Sequence, residues 1–382
     1  MQYPYFDYFT VLLYLFVGTL CMLSMKLARG GMIYDRLASL KGFTALFLIL
    51  LLFAGLRKVG LHLGGEDALR YQEGFLHYYN HGSERYDDTD VLFGCFTGLI
   101  RAFTDSPVIY RFFCYGLISF GYVYFIKTFS PQGISCIPFI CILIPFMRSF
   151  GSMRNTMSIA LFLFCIVALF HKRYFLCIIF AISSMLMHRL TFVMLSFFPF
   201  YYLFEKYIIH KSKKTILLVV LGLMLLSYLA AVQLQKYIIL FSLFDNNGNA
   251  DMWYLTNKAG GNILLNWPMY IVHLMLFIAL MIRYKSIPNT PQITFLKIIF
   301  FFDIIILPAS LVLNLWRFAE YFYIANLILW GIIITVICKK FTKESSLIVR
   351  GCALLGFYGL LYIRLTHEWE ELALMPYLFI WS

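Results

Sequence analysis

The chain is a succession of apolar blocks separated by short polar ones. Blocks fall near 8–25, 42–56, 107–126, 133–149, 155–170, 174–188, 190–204, 215–234, 265–282, 293–313, 319–338 and 348–365, about twelve in all. A bilayer core is about 30 Å thick and a helix rises about 1.5 Å per residue, so runs approaching 20 apolar residues read as membrane-crossing helices. The blocks are continuous rather than alternating, which excludes the period-two pattern of an outer-membrane barrel. Backbone groups in lipid must be bonded within their own segment, and this too makes each block a helix. Segment 91–104 (VLFGCFTGLIRAFT) is amphipathic and is placed in the interface. The expected fold is all-α, a polytopic integral membrane protein of about twelve spans forming one domain over 1–382.

Composition agrees. Hydrophobic residues are 62% of the chain and charged residues 13%, against roughly 45–50% and 25% in soluble domains. The nine cysteines lie mostly in or beside the blocks and none forms a CxxC pair. They read as small packing residues rather than a zinc or disulfide framework. Block 8–25 lacks a basic n-region and a small-residue cleavage site, so it is expected to stay as a permanent helix. No P-loop, GxGxxG, HExxH or GxSxG occurs. Soluble nucleotide-binding machinery is thus missing, and a substrate is expected to arrive through the membrane.

Charge sets the expected orientation. Alternate loops, 26–41, 127–132, 171–173, 205–214, 283–292 and 339–350, hold 17 basic residues and only Asp35, Glu205 and Glu344 as acids. The opposite loops and ends hold 13 basic and 15 acidic residues. By the positive-inside rule the first set is cytoplasmic, so both termini and the long loops 57–106 and 235–264 are outside. The net charge of +12 is then a topology signal, and nucleic acid is not an expected partner.

Strong polar residues gather at the block ends that this topology puts outside. In HLGGEDALRYQEG (62–74) a polar helix is expected from near Glu66, with Asp67, Arg70 and Tyr71 on one face. Asp67 is suited to take or orient a hydroxyl proton; an ordinary solvated helix is the plain alternative. RSFGSMRN (148–155) sets Arg148 and Arg154 around a turn, where planar guanidinium forks and a helix N-terminus suit a diphosphate. Snorkelling at the membrane edge would place them there too. HRLTF (188–192) offers His188 as a proton carrier and Arg189 as a phosphate ligand, or simply a packed structural turn. In WRFAEYF (316–322), Arg317 and Glu320 are spaced to pair, with Tyr321 beside them. Asp303, an acid inside an apolar block, is a functional candidate with no partner named by the sequence.

In this order, GEDALRY (65–71), MRNTMSIAL (153–161), SSMLMHRLTF (183–192) and RFAEYF (317–322) resemble the EpsG family of Wzy-type polysaccharide polymerases. The resemblance spans roughly 40–380. Ala68 stands where the family commonly has Tyr, and Met187 where it has Phe. The resemblance implies a GT-C-like membrane glycosyltransferase joining undecaprenyl-diphosphate-linked repeat units at the outer face of a bacterial inner membrane. Its partners would be the polyprenyl-diphosphate-linked oligosaccharide, membrane lipid, and a chain-length regulator and flippase of the same pathway. Arg148, Arg154, Arg189 and Arg317 would neutralise the leaving diphosphate, with Arg70, Tyr71, Glu320 and Tyr321 supporting. Asp67 or His188 would be the base. No cofactor is expected and no metal is required, since arginines supply the positive charge; a divalent ion at Asp67 is the alternative. The rival functions are a flippase or transporter of the same lipid-linked sugars, and a membrane O-acyltransferase or O-antigen ligase.

Overall fold

A computed structural model describes residues 7–31, 35–60, 68–78, 90–189, 191–244, 263–313, 317–368, 374–375 and 377–380, with backbone alone at 237–244, 263–269, 317, 319 and 367–368. Among these residues the chain is helical, and its one bridge between described partners is the isolated antiparallel pair Arg57 and Phe379. The fold is an all-α polytopic membrane protein. Seven helices among the described residues are long and apolar enough to cross a membrane, and four shorter apolar ones accompany them.

The chain falls into two compact units, Met1–Leu195 with Ile337–Ser382, and Ser196–Val336. The first contains α1 (Tyr8–Arg29), α2 (Arg36–Gly55), α3 (Ala68–Leu76), α4 (Val91–Phe103), α5 (Pro107–Phe129), a 3-10 turn (Ile137–Ile142) running into α6 (Leu143–Arg148), α7 (Met153–Phe170), α8 (Tyr174–Met187) and α9 (Thr191–Met194). The second contains α10 (Phe197–Tyr207), α11 (Lys213–Phe244), α12 (Ile263–Arg283), α13 (Pro291–Val312), α14 (Arg317–Glu320) and most of α15 (Tyr323–Cys338). α16 (Lys343–Glu368) returns to the first unit.

Several starts follow from local chemistry. The Asp7 carboxylate accepts from the N–H groups of Phe9 and Thr10 at 3.1 and 3.0 Å, and Asp35 accepts from Leu37 and Ala38 at 2.9 and 3.2 Å. Such caps satisfy donors that the helix itself leaves over. Ser106 and Thr290 cap α5 and α13, each followed by a proline at the first helical position.

Two expected spans take other forms. Segment 133–149 becomes the 3-10 turn plus α6, twelve residues interrupted by Pro138 and Pro145. At about 2.0 and 1.5 Å per residue it reaches only ~20 Å, short of a ~30 Å core. Its residues from Pro138 onward are all buried, and the segment packs on α1 and α16, which is where interrupted backbone is tolerated at membrane depth. Segment 190–204 divides into α9 and α10. Pro199, in the first turn of α10, carries no N–H to bond back to Leu195, which removes a bond that would join the two helices.

In the first unit α1 packs on α2, α2 on α5, α5 on α7 and α7 on α8. Small residues bring the backbones close. A Cβ at Gly121 would lie 2.8 Å from the Ala160 Cβ, and one at Gly42 would lie 2.5 Å from the Ala28 nitrogen. Membrane helices associate through such small contacts, because lipid supplies no hydrophobic drive between them. In the second unit α10, α11 and α12 pack on α13, with Phe197 against Phe295, Phe302 and Phe322.

Candidate functional site

The polar centre of the first unit forms where α4 begins, α7 begins and α8 ends. Asp90 precedes the first residue of α4 and is 4% exposed. An aspartate in that position usually caps the helix, but this carboxylate makes no cap bond. One oxygen meets Arg154 Nη1 at 2.5 Å, and the other lies 3.7 Å from His188 Nδ1. The first is a short charge-assisted bond; the second is an ion-pair distance beyond hydrogen-bond reach. Burial alone would raise the Asp90 carboxyl, but His188, the Arg154 charge and a backbone hydrogen bond from Arg189 outweigh it and hold it below its ordinary range. The carboxylate is therefore ionised wherever the lipid surface is near neutral. Arg154 also lies over the rings of Tyr71 and Phe93, at 5.8 and 5.9 Å.

Local sequence positions each member. Arg148 ends α6, and its carbonyl accepts from the N–H groups of Gly151 and Ser152 at 3.2 and 3.0 Å and from Ser152 Oγ at 2.9 Å. The turn is thereby closed on itself, and α7 starts at Met153 with Arg154 in its first turn. Arg154 and Ser158 are four apart on α7; Ser184 and His188 are four apart on the α8 side, so each pair shares a helix face. The serines join the faces: Ser158 Oγ donates to the Ser184 carbonyl at 2.8 Å and Ser184 Oγ to the Ser158 carbonyl at 2.7 Å. Thr191 bonds to Ser158 and, at 3.3 Å, to the Ser184 carbonyl, tying α9 to the same point. Bonds between membrane helices average only about 0.6 kcal/mol each. Several together hold the His188 turn one helical turn from Arg154.

The residues expected from sequence are distributed unevenly around this centre. Arg154 and His188 lie in it, Arg189 contributes backbone, and its side chain is exposed. Tyr71 is buried against Phe93. Arg70 is exposed, which corrects the expectation that it shares a face with Tyr71: the buried positions of α3 are Ala68, Tyr71, Gly74 and Phe75. Arg148 is 4% exposed, and its charge is drawn into the protein. Asp67 lies outside the described residues, as does the Arg317 side chain, so the Arg317–Glu320 pairing has no description here. Glu320 and Tyr321 are buried in the second unit.

Three residues were not signalled by motif. Asp90 sits in an acidic stretch, DDTD, whose only hint is its place directly before an amphipathic block. Arg57 follows α2 and Arg111 lies in the second turn of α5; both are almost fully buried. Asp303 acquires partners that spacing cannot reveal. Asn326 Nδ2 donates to Asp303 Oδ2 at 2.7 Å, and His273 Nε2 lies 3.1 Å from the same oxygen, all inside the second unit. Lys297, which falls in an expected span, reaches back to Asn289 Oδ1 at 2.9 Å and lies over the Tyr284 ring at 4.6 Å. Among the described residues no three His, Cys, Asp or Glu side chains stand together as a metal site.

Chemically, the centre offers an ionised carboxylate between a guanidinium and an imidazole, with aromatic rings alongside. An imidazole beside a fixed carboxylate can accept a proton and have the new charge balanced. Searches of curated proteins and of solved structures return no match. The EpsG family model matches residues 40–379, nearly the whole chain, and covers Tyr71, Asp90, Arg154 and His188 alike; the chain belongs to the EpsG family, Wzy-like polysaccharide polymerases of the membrane.

Proposed function

We propose that this protein polymerises undecaprenyl-diphosphate-linked oligosaccharide repeat units into a surface polysaccharide, acting as a glycosyltransferase at the outer face of a bacterial inner membrane. The observation that carries the reading is the Asp90–Arg154–His188 cluster, in which Arg154 and His188 come from two of the segments that carry the family's sequence pattern. An acceptor hydroxyl oxygen attacks the anomeric carbon of the donor, and the bond from that carbon to the diphosphate oxygen breaks. The hydroxyl proton passes to His188, and Asp90 balances the imidazolium. Arg154 faces the negative charge that grows on the departing diphosphate, an electrostatic role. Arg148, Arg189 and Arg317 are the further candidates for that role, and Asp67 is the second candidate base. The basic loops 205–214 and 339–350 face the cytoplasm in this reading, and both termini face outward.

The test is a proteoliposome loaded with polyprenyl-diphosphate-linked repeat units. A ladder of longer lipid-linked chains is the expected product. Transfer of the unchanged unit between leaflets, with no ladder, would make the protein a flippase instead. Comparing His188→Gln with Asp67→Asn assigns the base: the true one loses turnover while still binding donor.

A further inference from the structure

We infer that Arg57 and Arg111 form a second anion subsite, one that takes a phosphoryl group beside the Asp90–Arg154–His188 cluster. The two guanidinia line one small, partly open recess of about 10 Å³, together with Tyr71, Gln72, Tyr115 and Met153. Arg57 is 2% exposed and Arg111 6%. Arg57 Nη2 donates to the Tyr115 hydroxyl at 3.3 Å, and Arg111 Nη1 donates to Gln72 Oε1 at 2.8 Å. Arg57 also stacks over the Phe150 ring at 3.5 Å. These contacts are neutral. Among the described residues no carboxylate pairs with either arginine or lines the recess. Arg57 Nε and Nη1 and Arg111 Nε are buried with no hydrogen-bond partner.

Such an arrangement is costly by itself. A buried charge is normally paired, and a buried N–H without a partner loses its hydration for nothing. Two like charges in one recess add repulsion that a low-dielectric setting screens poorly. A multiply charged oxyanion reverses each term: it opposes both charges and accepts from the orphaned N–H groups. The space between the guanidinia is about that of one water, which admits a single oxygen of an anion and no sugar ring. A phosphate or diphosphate at the mouth of the recess meets that limit by inserting one oxygen, and guanidinium forks suit its oxygens. Tyr71 lines the recess and also lies under Arg154, and Met153 adjoins Arg154 in sequence, so the subsite and the cluster share a wall. Under the polymerase reading, on which only this assignment of source rests, the anion is the diphosphate of a lipid-linked substrate.

Binding is read from purified full-length protein in nanodiscs, with inorganic pyrophosphate as first probe, by thermal shift and by calorimetry. Pyrophosphate is expected to raise the Tm of the wild type. Arg111→Met and Arg57→Met should each weaken it by about tenfold or more, and Arg111→Lys should recover only part. Lys285→Met, an exposed control, should not change it. Where Arg57→Met does not fold, the two Arg111 variants decide. Nanodiscs holding polyprenyl diphosphate or phosphatidylglycerol then separate the sources: competition with pyrophosphate by the first alone assigns a lipid diphosphate, and by the second a lipid headgroup. Pyrophosphate affinity unchanged in both arginine variants, or no binding by the wild type, overturns the subsite. If the arginines govern pyrophosphate binding but no chain extension occurs, the subsite stands and the polymerase reading falls.

Discussion

The two units each bury a polar cluster, and the clusters differ in whether they hold a carboxylate of their own. In the second unit His273, Asp303 and Asn326 are nearly inaccessible and bond to one another, with Asp303 Oδ2 held at 2.7 Å by Asn326 and 3.1 Å by His273, while Asp303 Oδ1 and Asn326 Oδ1 have no hydrogen-bond partner. One carboxylate oxygen meets its donors within the set. In the first unit Arg57 and Arg111 are as deeply buried, yet their partners are a tyrosine hydroxyl, an amide oxygen and an aromatic ring. The difference separates fastening from binding. A cluster that holds a carboxylate with its own donors joins helices where lipid offers no other drive; a cluster with excess buried charge is costly until a counter-charge is supplied. Asp303, a functional candidate without a partner in the sequence, bonds to Asn326 and His273 in the fold, an arrangement suited to joining helices.

The sharpest way to break this comparison is at Asp303. Asp303→Ala leaves His273 and Asn326 buried without their acceptor and should cost about 3–5 kcal/mol of stability. Replacing Asp303 and His273 together by leucine should recover most of that, since a buried pair exchanged for apolar packing is often neutral. Chemical unfolding of the purified protein in micelles measures both; a double variant no better than the single one would give Asp303 a role beyond joining.

Next in size is Arg154→Ala. Loss of one donor to developing charge costs roughly 10²–10³ in rate, and Arg154→Lys should rescue poorly because lysine lacks the fork. Chain extension in proteoliposomes at matched protein level reads this, and full activity in the alanine variant removes Arg154 from the mechanism. A smaller loss, about tenfold, is expected for Asp90→Asn if Asp90 acts through His188. The decisive readout is additivity: His188→Gln and Asp90→Asn combined should be no worse than His188→Gln alone.

Acid gives a further, graded test. The Asp90 carboxyl is held below its unfolded value near ~3.9. Its contribution to stability is therefore complete above that range and is lost only as pH falls through the lowered folded value. Asp90→Asn should flatten the acid limb of the stability profile and leave the neutral region parallel to wild type. The smallest effect is predicted for Arg70→Ala: an exposed side chain on α3 should change stability by less than about 0.5 kcal/mol and leave chain extension intact. A large loss of activity there would show that substrate reaches the exposed side of α3.

By itself the sequence determined the class, the helices and most of their limits. Lipid permits few backbone solutions, so apolar runs translate directly into helices, and caps such as Asp7, Asp35, Ser106–Pro107 and Thr290–Pro291 mark the starts. It also picked out Arg154 and His188, because a cation at the end of an apolar block needs a reason. Tertiary structure alone decided which polar residues meet. Asp90 and Arg154 are 64 positions apart, Asp303 and Asn326 are 23 apart, and Arg57 follows α2 whereas Arg111 lies in α5; no local periodicity encodes such pairs. It also turned block 133–149 into a buried, interrupted segment, since proline content and burial on both sides outweigh hydropathy there. Hydropathy reports what each stretch prefers as solvent, whereas charge balance inside the protein depends on which helices pack together.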